Sequence, residues 1–260
     1  MEFTRIKFSK RKRTALITLS RHEKRNALDD VMVRELTEAF QACNRESDAK
    51  VVLLQAEGDT FCAGADLAYL RRLSAYDFSQ NQQDSQQLMK LFLAMYTLRK
   101  PIIALVQGPA LAGGCGLVTV CDFVLAARET AVFGYPEVRI GFIPAIVMPF
   151  LVRRVGEARA RELTLRGHTI SAGEAESIGL VTKAVPATAL AEAGESLARE
   201  LQEQNSGSSM GLVKELLSRI HGMSTSDALD YAANLNALTR MTDDCKKGIG
   251  RFLNKEKQEW

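Results

Sequence analysis

Residues 108–122 read GPALAGGCGLVTVCD, and the placing of Gly113, Gly114 and Gly116 at the mouth of an otherwise apolar, helix-like run decides how the chain is read. Each glycine inside a helix costs roughly 1 kcal/mol relative to alanine. Helix formation alone does not favour them, so the sequence keeps backbone exposed there, for a ligand in the first instance. Close packing against a neighbouring loop stays open beside it. Short apolar runs at 102–106 and 123–126 flank the segment and read as strands.

Working outward, strands alternate with helices. Segments 14–19 and 51–55 are β-rich, and 181–185 is another short apolar strand. Between the first two, 30–44 carries Val33, Leu36, Phe40 and Cys43 at helical spacing behind the caps Asp29 and Asp30. This pattern predicts a parallel α/β architecture. From about residue 187 the composition changes to helix formers, with helical patterns at 192–203, 210–220, 227–238 and 243–255. The chain therefore divides near residue 200, into an α/β core over 1–200 and a helical region over 201–260. Ser171 followed by Glu174 reads as a capping box, a helix start.

The 260 residues, 46% hydrophobic and 25% charged, suffice for a sizeable core. No apolar run approaches the roughly 20 residues of a membrane span. MEFTRIKFSKRKR lacks an apolar signal core, which predicts a cytoplasmic or equivalent location. Five cysteines in apolar surroundings read as buried thiols, and three histidines supply little material for a metal site or a histidine-driven triad, so no metal is expected. A net charge of +3 does not mark a nucleic-acid protein; the run Lys7, Lys10, Arg11, Lys12 and Arg13 reads as a solvated turn ahead of the strand at 14–19. GSSMG at 207–211 matches a nucleophile elbow but follows polar helical residues instead of a strand, so Ser208 or Ser209 reads as a cap. AGGCGLV lacks the third glycine of G-x-G-x-x-G, and no dinucleotide cofactor is expected.

Two stretches share a design, FCAGADL at 61–67 and GPALAGGCG at 108–116. Each follows an apolar strand and puts small residues just before a helical segment, where bare N–H groups are available. Two such donors converging on one carbonyl oxygen form an oxyanion hole. The same residues would also serve tight packing between strand and helix.

KRNAL at 24–28, FCAGADL at 61–67, KPIIALVQGPALAGGCGL at 100–117, CD at 121–122, FGYPEVRIGFIP at 133–144 and FLNKEK at 252–257 together resemble the enoyl-CoA hydratase/isomerase (crotonase) family, in order across nearly the whole chain. The resemblance implies an α/β fold of stacked ββα turns, a spiral of two sheets wrapped by helices. It also implies a C-terminal helical region used in trimer contacts, giving a homotrimer or a dimer of trimers. It assigns the amides of Ala65 and Gly113 to the carbonyl oxygen of an acyl-CoA thioester, and Glu137 to acid/base chemistry. Arg25, the Ala27–Leu28 backbone, Ala63, Asp66 and Leu67 match the lining for adenine and pantetheine, and Phe252 and Lys255 match a C-terminal pair near the adenine and phosphates. Coenzyme A enters as part of the substrate, so no separate cofactor is implied.

The sequence departs from the family pattern at two places. Hydratases of this family commonly carry two glutamates, one where this chain has Gly116 and one at Glu137; only Glu137 is kept. Pro144-Ala-Ile-Val-Met148 stands where a glycine-rich stretch is usual, and its bulkier side chains are expected to reshape the acyl pocket. Gly116, EVRIGFIPA at 137–145 and FLNKEK together resemble a bacterial methylglutaconyl-CoA hydratase-like branch, which places the expected reaction in fatty-acid or leucine degradation. Hydration of an enoyl-CoA is the first reading and double-bond isomerisation by a single glutamate the second. A non-catalytic acyl-CoA-binding protein, or a scaffold whose basic N-terminus meets RNA, is the alternative from another class.

Overall fold

The computed structural model describes residues 3–45, 48–258 and 260. Its elements run β1 (Ile6–Arg11), β2 (Thr14–Leu19), α1 (Asp30–Arg45), β3 (Val51–Ala56), α2 (Leu67–Leu73), α3 (Phe78–Tyr96), β4 (Ile102–Val106), β5 (Ala110–Leu111), α4 (Gly113–Val120), β6 (Phe123–Ala127) and β7 (Val132–Gly134). They continue with α5 (Met148–Arg166), β8 (Thr169–Ser171), α6 (Ala172–Ser177), β9 (Lys183–Val185), α7 (Leu190–Gln204), α8 (Gly207–Ile220), α9 (Thr225–Met241) and α10 (Asp243–Leu253).

Six strands form one sheet in the order β1-β2-β3-β4-β6-β9, parallel throughout except for the antiparallel β1–β2 pair. Alternate residues of the central strands serve opposite faces. Val52, Leu54, Ile102, Ala104, Val124 and Ala126 join the core that includes α1, α3 and α4, while Val51, Leu53, Ile103, Leu105, Leu125 and Ala127 pack with α7. Both faces are therefore dry, which is why these strands read as unbroken apolar runs.

After leaving the main sheet, the chain makes a short second-layer pairing before α1, α2, α4 and α6. Leu28 bridges Ala65, Cys62 bridges Ala110, and Ala110 and Leu111 pair with Phe133 and Gly134 of β7, which in turn pairs with β8. One long strand, one short strand and a helix per turn make the ββα spiral, and the stacking brings the ends of successive turns together.

Several local expectations are corrected. The basic run does not lie in a turn alone: Lys7, Lys10 and Arg11 are on β1, and Lys7 pairs with Glu57. The last sheet strand begins at Lys183 instead of Val181. Ser206, not Ser208 or Ser209, caps α8, accepting from the Ser209 amide. α7 runs across residue 200 and packs on β3, β4 and β6. The Ser171–Glu174 capping box is present, and α1 is capped by Asp29 alone, with Asp30 inside the helix. No described helix is long and apolar enough to cross a membrane.

Candidate active site

The glycines of the opening segment have different reasons. A Cβ on Gly114 would run into the carbonyl oxygen of Cys62, with the Cys62 side chain 2.7 Å away, so this glycine exists for loop packing. Gly64 (φ +90) would place its Cβ 2.8 Å from the Cβ of Ala112. Gly113 is half-buried and meets only Cδ1 of Leu28, at 2.9 Å. The packing reading thus holds at Gly114, and approachable backbone remains at Gly113.

Contact between residues 64 and 112 places the following residues, Ala65 and Gly113, at neighbouring loop ends. Ala65 is exposed, and its loop is fixed by Leu28, which donates to the Gly64 carbonyl at 2.7 Å and accepts from the Asp66 amide at 2.9 Å. Ala112, at φ 50, is an apolar N-cap that gives α4 no side-chain acceptor. Among the described residues neither the Ala65 nor the Gly113 amide donates a hydrogen bond. Two free N–H groups, one at a helix start, suit an oxygen that gains negative charge.

Glu137 lies in the 3-10 turn Pro136–Ile140, started by proline and closed by left-handed Gly141. The preceding residues are tied to α4: Ala112 donates to the Gly134 carbonyl at 2.9 Å, and buried Tyr135 hydrogen-bonds Thr119 Oγ1 at 2.6 Å. Glu137 is half-buried and its Oε2 is buried without a hydrogen-bond partner among the described residues. Burial pushes its carboxyl above the ordinary value. The Cys115 thiol, on α4, is pushed up to about 12 by burial, with the Glu137 charge acting in the same direction. A desolvated carboxylate with one unpartnered oxygen has the character of a proton-transfer group.

Gly116 does not open on free space. A Cβ there would lie 2.7 Å from Phe92 Cζ and 3.5 Å from Val147 Cγ2. The ring of Phe92, on α3, and Val147, from the stretch that replaces the usual glycines, close the place of a first glutamate. The first glutamate is absent, and the space beside Gly116 is filled by these side chains.

The implied CoA-lining residues divide. Arg25 is exposed in a left-handed turn, and its carbonyl accepts from the Ala63 amide at 3.0 Å, bringing KRNAL beside FCAGADL; Ala27 is buried and Leu67 is exposed at the start of α2. The Asp66 carboxylate is not available to a ligand. It caps α2 through Ala68 and Tyr69 and pairs with Arg21 at 3.0 Å, so its part is structural. Phe252 and Lys255, at the end of α10, are exposed, and among the described residues no side-chain hydrogen bond joins them to these loops.

Sequence reasoning passed over Arg21, Asn26 and Phe92. Asn26, buried at φ 52, accepts from the Arg21 amide and donates to the carbonyls of Glu57 and Thr60 at 2.8 Å, joining three loops. Its burial and positive φ, which asparagine tolerates, show only in the folded chain. Two cavities, of 800 and 230 Å³, open beside α8 instead, and neither is lined by Ala65, Gly113 or Glu137. No group of three or more His, Cys, Asp or Glu placed to hold a metal occurs among the described residues.

The family model for enoyl-CoA hydratase/isomerase matches residues 9–260. A Thermus thermophilus protein named as an enoyl-CoA hydratase is 41% identical, over 93% of this chain and 94% of its own length. The crotonyl-CoA hydratase of Syntrophomonas wolfei is 34% identical over 99% and 98% of the two chains. The crystal structure of an enoyl-CoA hydratase from Shewanella pealeana superposes with a TM-score of 0.93 at 30% identity, covering 100% of this chain and 97% of that one.

Proposed function

Because this chain belongs to the enoyl-CoA hydratase/isomerase family, we propose that it adds water across the double bond of an enoyl-CoA thioester, with Glu137 as its only acid/base. The observation that carries this reading is the buried, unpartnered Oε2 of Glu137, in the turn that follows Tyr135, itself tied to α4 through Thr119. The thioester oxygen is received by the Ala65 and Gly113 amides. Charge on that oxygen makes the β-carbon electrophilic. Glu137 holds the water, takes its proton as the new C–O bond forms, and returns that proton to the α-carbon. The carboxylate ends as it began, and water is added in full. CoA lies along Arg25, Ala27, Ala63 and Leu67, and Phe252 and Lys255 reach it from another subunit of a trimer or hexamer in the cytoplasm. The acyl group is branched and methylglutaconyl-like, on the strength of EVRIGFIPA and Gly116.

A second reading, double-bond isomerisation, is favoured by Phe92 at Gly116, which leaves one carboxylate where a hydratase commonly has two. A spectrophotometric assay on crotonyl-CoA, methylglutaconyl-CoA and a 3-enoyl-CoA tests the choice. Loss of the conjugated absorbance from the first two supports hydration. Its appearance from the third alone supports isomerisation, and no change with any of them leaves a binding protein.

A further inference from the structure

We propose that Arg21 is a positioning residue that sets the Ala65 amide by clamping the two loops beneath it. Its Nη1 lies 3.1 Å from Asp29 Oδ2, 3.0 Å from Asp66 Oδ2 and 3.1 Å from the Ala27 carbonyl, with the side chain 12% exposed. Each aspartate spends its other oxygen on a helix start: Asp29 Oδ1 on the Met32 amide at 2.8 Å, and Asp66 Oδ1 on Ala68 and Tyr69 at 2.8 and 3.0 Å. The guanidinium therefore ties the first turns of α1 and α2 together; Arg5 Nε also pairs with Asp29 Oδ2, at 3.2 Å, but Arg21 is the cation that both aspartates share.

Among the described residues the backbone joins these loops by the isolated Leu28–Ala65 bridge and the Ala63–Arg25 hydrogen bond, so no extended ladder fixes Ala65. The Ala65 amide lies in the Gly64–Ala65 peptide, whose carbonyl accepts from Leu28; the next peptide donates from Asp66 to the Leu28 carbonyl, and the Asp66 carboxylate beyond it is held by Arg21. An amide that must meet an oxyanion tolerates little displacement, and a shifted donor weakens the transition state more than the bound substrate. All three contacts converge on Nη1, and a lysine Nζ, which ends its side chain one bond closer to the backbone, falls short of that point.

The inference rests on the oxyanion reading of Ala65, and its test separates the two. The probe is a conjugated aryl-enoyl-CoA carrying a para-dimethylamino group, whose absorption moves to the red when its carbonyl is polarised. Arg21→Lys is compared with Asp66→Ser, in which serine still caps α2 but cannot pair with Arg21. In both, the red shift is expected to shrink and kcat to fall about tenfold or more, while KM and the affinity for free CoA stay near wild type. Should Arg21→Lys fail to fold, Asp66→Ser carries the test. Unchanged red shift and kcat, or a lower Tm with unchanged kcat, overturns the positioning role alone. A wild-type protein that binds the probe with no red shift overturns the oxyanion reading, and this inference with it.

Discussion

The ring of Phe92 occupies the space that a side chain at residue 116 would enter, with Cζ 2.7 Å from where a Gly116 Cβ would stand. Phe92 is itself held, buried against α4 and edge-on to Phe150 at 6.2 Å. Glycine at 116 and phenylalanine at 92 are thus one feature, a close contact between α3 and α4 built without a carboxylate.

Gly116→Ala is therefore expected to destabilise the protein. Alanine favours a helix by roughly 1 kcal/mol over glycine, but overpacking against a fixed ring costs about 1–3 kcal/mol, so clash and propensity oppose each other and the clash prevails. Urea unfolding gives the sign. In a Phe92→Leu background the penalty should largely vanish, and a penalty that persists there refutes the assignment to Phe92.

The main sheet was legible because both faces are buried: 14–19 and 102–106 show as apolar runs with their observed limits. The second layer was not, since β5 has two residues and β7 and β8 three each, too short for any periodicity, and the bridges at Leu28 and Cys62 carry no pattern. At the site, glycine spacing announced exposed backbone but could not separate Gly114, packed on Cys62, from Gly113. Arg21, Asn26 and Phe92 act on partners distant in sequence, which no local signal encodes.

The glycines should separate on substitution. Gly114→Ala forces a Cβ onto the Cys62 carbonyl, backbone that cannot move aside, and is expected to cost about 3 kcal/mol. Gly113→Ala meets only a leucine methyl group and should fold with a near-wild-type Tm while weakening thioester turnover. Thermal melts with parallel assays check this; equal melting losses in both would contradict it.

Leu238 and Met241, one turn apart near the end of α9, are 62% and 71% exposed, and Phe252 and Leu253 end α10 equally bare. Apolar surface of this extent calls for a partner. Light scattering is expected to give a trimer or hexamer, reduced to smaller species by Leu238→Asp with Met241→Asp. A monomer at micromolar concentration for the parent chain would refute it.

Glu137→Gln should lower activity and raise stability together. Loss of a positioned acid/base lowers kcat by about 10²-fold or more, while thioester affinity, owed to backbone amides, changes little. Burial raises the Glu137 carboxyl above its ordinary 4.5. A group with a raised folded pKa binds its proton more tightly in the folded state, so its stabilising contribution is complete below the unfolded value and lost as pH rises through the folded one. At pH 7 the folded protein therefore carries an unfavourable buried charge that glutamine removes. The variant should melt higher than the parent at pH 7, with the difference closing as pH falls toward 4. The parent's kcat/KM should fall on acidification with a midpoint above 4.5, because the working base is the ionised form. If Glu137→Gln keeps its turnover, the one-carboxylate mechanism is wrong; if it loses turnover but melts lower at pH 7, the buried charge is compensated by a group not paired with it here.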